Sequence, residues 1–155
     1  TLFEEATRAP LIIRAPGAAG NGRPTSAIVE FVDIFPTLAE LAGMAAPGNL
    51  SGRSLAPLMQ DPGRPWDGQA FSQVLRPNNG RPAMGRSVRT GRWRYTEWDG
   101  GQAGAELYDH DRDPGEFTNL AHNPVHQATR QELRALFTGR VAAGPPAWPF
   151  DPLRL

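Results

Sequence analysis

Gly85-Arg86-Ser87-Val88-Arg89-Thr90-Gly91-Arg92-Trp93-Arg94-Tyr95-Thr96-Glu97-Trp98 is the stretch that decides the fold. Two runs of strand-favouring residues, Met84 to Arg89 and Arg92 to Trp98, flank the dipeptide Thr90-Gly91. Branched and aromatic side chains fit a pleated surface, and a glycine in a two-residue loop can supply the positive φ of a tight hairpin. The expectation is two antiparallel strands joined at Thr90-Gly91. In that register Arg89 and Arg92 stand opposite each other, where like charges repel. An anion should therefore lie close by, and Glu97, Asp99 and Glu106 are the candidates.

Working outward, Ala70 to Leu75 reads as a strand before the hairpin and Glu106 to Asp109 as a fourth short strand after it. Asn123-Pro124 then opens a last helix, with Asn as N-cap, Pro in the first position and Val125, Leu133, Leu136 and Phe137 as its apolar stripe. The tail from Gly144 to Leu155 reads as an extended segment laid over a surface. Toward the N-terminus, Leu11-Ile12-Ile13-Arg14-Ala15, bounded by Pro10 and Pro16-Gly17, has the continuous apolar character of a buried strand in a mainly parallel sheet. Asp33 can cap a helix to about Ala42 that stops at Gly43, with Pro36 in its first turn and Ile34, Leu38, Leu41 and Ala42 on one face. A helical turn from Ser54 to Met59 and a Pro/Gly linker through Gly68 follow. The fold class expected is α/β: residues 1–65 as the end of an α/β body, and residues 66–155 as a smaller subdomain of antiparallel sheet, packed C-terminal helix and extended tail.

The composition of the 155 residues points the same way. Leu, Ile, Val and Phe make up about a fifth of the chain, near the level below which chains tend to disorder. Gly and Pro contribute 17 and 16 residues, so irregular connections are extensive and a full private core is not expected. Basic and acidic residues balance at 16 each, which leaves no broad field to recruit nucleic acid. No apolar run approaches the ~20 residues of a membrane span, so a membrane partner is not expected either. With no cysteine, disulfides and thiolate chemistry are excluded. Thr1-Leu2-Phe3-Glu4-Glu5 reads like the interior of a longer chain, without a leader pattern.

Few constellations carry chemistry. Asp109, Asp111 and Asp113 alternate as in a calcium loop, but Gly115 comes one residue late and Pro114 intrudes; the stretch reads as an Asp-Pro-Gly turn with solvated carboxylates. His122 and His126 stand four apart, but Asn123-Pro124 interrupts the helix between them and no third ligand accompanies them. No serine sits in a nucleophile elbow. Arg86, Arg89, Arg92 and Arg94 either pair with carboxylates or, with Arg76 and Arg81, face a sulfated or carboxylated sugar, to which the guanidinium fork donates two parallel hydrogen bonds.

Four stretches in order resemble the sulfatase family, most closely its iduronate-2-sulfatase-like branch. They are Thr1-Leu2-Phe3-Glu4-Glu5-Ala6-Thr7-Arg8-Ala9-Pro10-Leu11-Ile12-Ile13; Val32-Asp33-Ile34-Phe35-Pro36-Thr37-Leu38 with Gly52-Arg53-Ser54-Leu55; Gly85 to Thr90 leading to Trp93-Arg94-Tyr95-Thr96-Glu97-Trp98; and Glu106-Leu107-Tyr108-Asp109 with Asp113-Pro114-Gly115-Glu116 and Asn119-Leu120-Ala121. The resemblance implies the C-terminal part of an alkaline-phosphatase-like sulfatase fold, in which a large α/β body carries the active site. It implies a parent enzyme hydrolysing sulfate esters of sugars such as iduronate 2-sulfate, with a formylglycine nucleophile and calcium. The family's Cys/Ser-x-Pro-x-Arg motif is absent here, so the isolated chain is expected to be inactive, to bind no calcium itself, and to need the missing N-terminal catalytic part as partner. No catalytic residue carries over. Gln73, Arg76 and Arg81, in the loop after the first strand of the small sheet, correspond to the substrate entrance of the iduronate-type branch and are the candidate contacts to a sulfated carbohydrate. A related phosphonate or phosphate monoester hydrolase, and a non-catalytic carbohydrate-binding or structural remnant, are the competing readings.

Overall fold

A computed structural model of the chain describes residues 1–78, 81–138 and 140. In chain order it has helix α1 (Glu4–Thr7), α2 (Ile34–Leu41) and α3 (Ala56–Gln60), strands β1 (Ala70–Asn78), β2 (Arg81–Arg89), β3 (Trp93–Trp98) and β4 (Ala105–Asp109), and helix α4 (Gln127–Ala135). Single 3₁₀ turns stand at Phe31–Asp33, Asp99–Gly101 and Pro124–His126. None of the described helices is long and apolar enough to cross a membrane. The chain divides into two compact units: Ala9–Ala70, and Thr1–Arg8 together with the residues from Phe71 onward. The predicted tail from Gly144 lies outside the described residues.

In the first unit the helix expected from Asp33 forms, but its cap differs. The 3₁₀ turn Phe31–Asp33 precedes it, and Asp33 reaches back so that its Oδ2 accepts the Glu30 amide at 2.9 Å. The other carboxylate oxygen of Asp33 accepts the Arg53 amide at 2.9 Å. One turn on, the Thr37 hydroxyl donates to the Asp33 carbonyl and accepts the Leu55 amide at 2.8 Å. Asp33 and Thr37 are buried, so these bonds staple the Gly52–Leu55 loop to the start of α2 in a place where unmet donors would be costly. Gly43, at φ +67°, ends the helix as expected, with the Met44 amide donating back to the Ala39 carbonyl at 2.8 Å. The strand expected at Leu11 to Ala15 does not form: these residues are irregular, and Ile12 is 92% exposed. A strand needs a neighbour for its amides and carbonyls, and none of the described residues supplies one.

The second unit is built on an antiparallel sheet in the order β1-β2-β3-β4. One face packs against α4. Val88, Tyr95 and Leu107 cluster there with Ala121, Leu133 and Phe137, and Phe71, Trp93, Leu120 and Leu136 pack around them. The sheet alternation of period two explains the pattern, since Val88, Tyr95 and Leu107 are cross-strand partners. A buried carboxylate, Glu97, shares this face. It pairs with Arg86 and, at 3.1 Å, with Arg134 of α4, and accepts the Tyr95 hydroxyl at 3.0 Å. Burial beside that carboxylate pushes the Tyr95 hydroxyl up to about 12, which keeps it a donor. Asn123 caps the last helix as expected, its side chain accepting the Val125 amide. Val125 does not join the apolar stripe; it is 81% exposed because the 3₁₀ turn Pro124–His126 rotates it away from the face that carries Leu133 and Phe137.

The hairpin register also differs. The closing pair is Thr90–Trp93, through the Thr90 amide and the Trp93 carbonyl at 2.8 Å, so the turn residues are Gly91-Arg92. Gly91 is not among the glycines with positive φ. The Thr90 hydroxyl instead accepts the Trp93 amide at 3.1 Å and spans the turn. Arg89 consequently faces Arg94, not Arg92.

Candidate functional site

The sheet face away from α4 is polar, and its register explains why. Arg89, Ser87 and Gly85 of β2 lie across from Arg94, Thr96 and Trp98 of β3, and Arg94 and Thr96 lie across from Tyr108 and Glu106 of β4. Segment Thr1–Arg8 packs on this face, with Leu2 buried and the Phe3 and Tyr108 rings 6.0 Å apart.

The two opposed arginines are reconciled by carboxylates that the hairpin itself does not contain. Glu4 accepts from Arg94 and from Arg89, the latter at 3.2 Å. Glu116 accepts from Arg94 Nε at 2.5 Å and from the Glu4 amide at 2.7 Å, and its Oε1 is 2.8 Å from His110 Nε2. Arg94 adds a hydrogen bond to the Ser87 hydroxyl at 3.2 Å. Burial alone would raise the Glu4 carboxyl, but the Arg94 hydrogen bond and the charges of Arg89, Arg94 and His110 hold it below its ordinary value. Glu116 adopts a left-handed φ of +57°, a conformation that costs a non-glycine residue about 1–2 kcal/mol; three partners on its carboxylate offset that cost. Of the expected anions, Glu97 takes Arg86 on the opposite face. Arg92 pairs with Asp109 through both carboxylate oxygens, at 2.8 and 2.6 Å.

The alternating aspartates form no ion-binding group; Asp111 reaches Arg92 at 3.5 Å, beside Asp109. Asp109 is bound to Arg92, and Asp113 Oδ2 accepts the Thr118 amide at 2.7 Å in the expected turn. Nor do His122 and His126 share a ligand set: His122 is exposed, and His126 packs its ring against Trp93, 5.5 Å between centroids. Glu4, His110 and Glu116 are the group among the described residues whose ligand atoms lie close enough for an ion, within 4.8 Å of one another. Two guanidiniums already occupy those carboxylates, and their charge opposes a cation, so the set does not fit calcium.

The three candidate substrate contacts are not in one loop. Gln73 and Arg76 both lie within β1, and Arg81 is the first residue of β2, its side chain outside the described residues. Three apart on a strand, Gln73 and Arg76 project to opposite faces. Arg76 is exposed on the polar face, its guanidinium 5.1 Å from the centre of the Trp98 ring. That ring lies against Gly85, where a Cβ would come within 2.6 Å of it. The Glu106 carboxyl is raised by burial and by the charge of Glu116, with Arg76 and the Trp98 indole acting against that shift. The arrangement presents a half-buried aromatic plane with an arginine held over it. It can bind an anion, and it contains no nucleophile. Trp98 and Glu106 carried no functional expectation beyond charge pairing. The glycine opposite a tryptophan in one hairpin was the available signal.

A family model for the C-terminal region of N-sulphoglucosamine sulphohydrolase matches residues 1–141. A Δ4,5-hexuronate-2-O-sulfatase of Bacteroides thetaiotaomicron is 35% identical over 147 residues, covering 88% of this chain and 29% of that protein. Mouse arylsulfatase K is 34% identical over 144 residues, covering 88% of this chain and 26% of that protein. Among solved structures, a 2-O GAG sulfatase is 37% identical with a TM-score of 0.58, over 68% of this chain and 23% of that one. The chain thus spans little more than a quarter of the curated relatives it matches, and its small antiparallel sheet with a C-terminal helix is part of the alkaline-phosphatase-like sulfatase fold. It belongs to the sulfatases, as a member of the N-sulphoglucosamine sulphohydrolase C-terminal family.

Proposed function

We propose that this chain acts as the C-terminal part of a sulfatase that hydrolyses sulfate esters of uronate-containing sugars, iduronate 2-sulfate being the model substrate. The similarity over 88% of the chain to a hexuronate-2-O-sulfatase carries the reading. The formylglycine nucleophile and calcium belong, on this reading, to the catalytic part that such relatives carry outside the matched region. Calcium there would offset the charge that develops on the sulfuryl oxygens.

This chain's own contribution is binding. An arginine over an indole plane loses little freedom when it accepts a carboxylate or sulfate, so Arg76 is suited to grip an anionic sugar, with Gln73 and Arg81 as further contacts. In the enzyme that carries this chain, Arg76→Ala and Arg81→Ala should each raise KM for a sulfated uronate disaccharide about tenfold or more, the loss of one charge-assisted hydrogen bond. KM for a small aryl sulfate should change less than twofold. Equal effects on both substrates in steady-state assays would sink the assignment of these residues.

A further inference from the structure

Arginines match the carboxylates on and around the sheet. Glu97 pairs with Arg86 and Arg134, and Asp109 with Arg92; Glu4 and Glu116 are held by Arg94 on the polar face. Glu106 of β4 departs from this pattern. It is half-buried on the polar face, across from Thr96 and diagonal to Trp98. No ion pair among the described residues includes it. Burial and the charge of Glu116 push its carboxyl up, against Arg76 and the Trp98 indole, the mark of an acceptor whose charge the fold leaves unmatched. Arg76 enters none of those ion pairs either, and its guanidinium stands 5.1 Å from the centre of the Trp98 ring. A donor and an acceptor, neither engaged in an ion pair among the described residues, thus border one aromatic ring.

We propose that Glu106 is a specificity-determining residue of this site: it accepts a free hydroxyl on the sugar next to the uronate and rejects a sulfate at that position. The inference rests on the sulfated-sugar reading above and deepens it. Small ligands are held by an apolar surface with a few placed polar groups, and Trp98 with Arg76 and Glu106 provides that set. An ionised carboxylate has lone pairs and no proton, so it can only accept. A sugar hydroxyl supplies the missing donor. A sulfate in the same place brings acceptor oxygens, no proton and a like charge, in half-buried surroundings where repulsion is poorly screened. Arg76 works in the opposite sense: being exposed, it can turn its fork from the ring to a carboxylate or sulfate. Together the two residues read where the anions sit along the sugars, because one attracts and the other repels.

The test uses the intact gene product that contains this chain and uronate–glucosamine disaccharides without sulfate on the uronate. One has free glucosamine hydroxyls; two others carry a single sulfate, at C6 or at C3. Their Kd values are measured by titration calorimetry at neutral pH. The unsubstituted protein should bind the unsulfated sugar about tenfold or more tighter than at least one of the sulfated pair. Glu106→Gln, which keeps the shape and removes the charge, should cut that preference below about threefold, chiefly through tighter binding of the sulfated sugar. Trp98→Phe should weaken both sugars by about three- to tenfold and keep most of the preference. Equal binding of all three sugars by the unsubstituted protein would overturn the inference. So would a preference that Glu106→Gln leaves intact while lowering Tm, since Glu106 would then be a structural counter-ion. Hydrolysis of a uronate 2-sulfate disaccharide by the unsubstituted product scores the sulfatase reading separately. Hydrolysis with an unaltered preference in Glu106→Gln sinks this inference alone; discriminating binding without hydrolysis sinks the sulfatase reading and leaves Glu106 standing.

Discussion

Replacing Arg94 with Met should destabilise the second unit by about 3–5 kcal/mol, the cost of removing one partner from a buried ion pair. Arg94 is 2% exposed and is the residue that joins Glu4, Glu116 and Ser87. Its loss leaves the buried Glu116 carboxylate with His110 and one amide, and leaves Arg89 as the guanidinium on Glu4. Arg94→Lys keeps the charge, but a single ammonium cannot span carboxylates on both sides as the fork does, so it should recover only part of the loss. Urea unfolding of Arg94→Met, Glu116→Gln and the double variant forms a cycle. A coupling of at least about 1 kcal/mol is expected between groups in contact, and strict additivity would refute a shared network. Acid supplies an independent check. The Glu4 carboxyl is held below its ordinary value of 4.5 in the native state, so its contribution is fully present above that pH and is lost as pH falls through the lower native value. Arg94→Met should shrink this acid-side loss, read as a flatter fall of stability below about pH 4.5.

The same network shows what could be read from the sequence. Four strands, a last helix capped at Asn123 and a helix stopped at Gly43 follow from periodicity and punctuation, because those signals are local. The need for an anion beside the hairpin arginines was legible too. Its source was not: Glu4 and Glu116 lie 85 and 27 residues from Arg89 in the chain, and only the sheet brings them together. The hairpin slipped by one residue for a local reason of a different kind. The Thr90 hydroxyl closes the turn with Trp93 and removes the need for a left-handed Gly91. Leu11 to Ala15 reads as a strand because composition is blind to whether a neighbour exists. Gln73 falls inside the strand expected at Ala70 to Leu75, and Arg76 reads as a loop residue because β1 runs on to Asn78, past Pro77, which a strand at the edge of a sheet tolerates.

Gly52→Ala should destabilise the first unit by about 3–4 kcal/mol. A Cβ at residue 52 would lie 2.0 Å from the Val32 carbonyl oxygen, 2.4 Å from its carbon and 2.8 Å from the Asp33 nitrogen. These are backbone atoms, so no side-chain rotation relieves the contact, and the Gly52–Leu55 loop must move by more than about an ångström. That movement strips the Arg53 amide from Asp33 and the Leu55 amide from Thr37. Both acceptors are buried, and each lost bond costs about 1–3 kcal/mol when a group is left unmet. The spacing between Val32-Asp33…Thr37 and Gly52-Arg53-Ser54-Leu55 thus has a physical origin, as two halves of one staple. Gly48→Ala is the control: nothing lies within 4 Å of a Cβ there and its φ is not positive, so it should be neutral or stabilising by a few tenths of a kcal/mol. Hydrogen exchange at the Arg53 and Leu55 amides is the direct readout, with protection falling at least about a hundredfold in Gly52→Ala. Asp33→Ala should then cost much less in that background than in the wild type, since its bond to Arg53 is already broken. Unchanged protection at both amides would mean that the close approach of Gly52 to Val32 does not hold the loop.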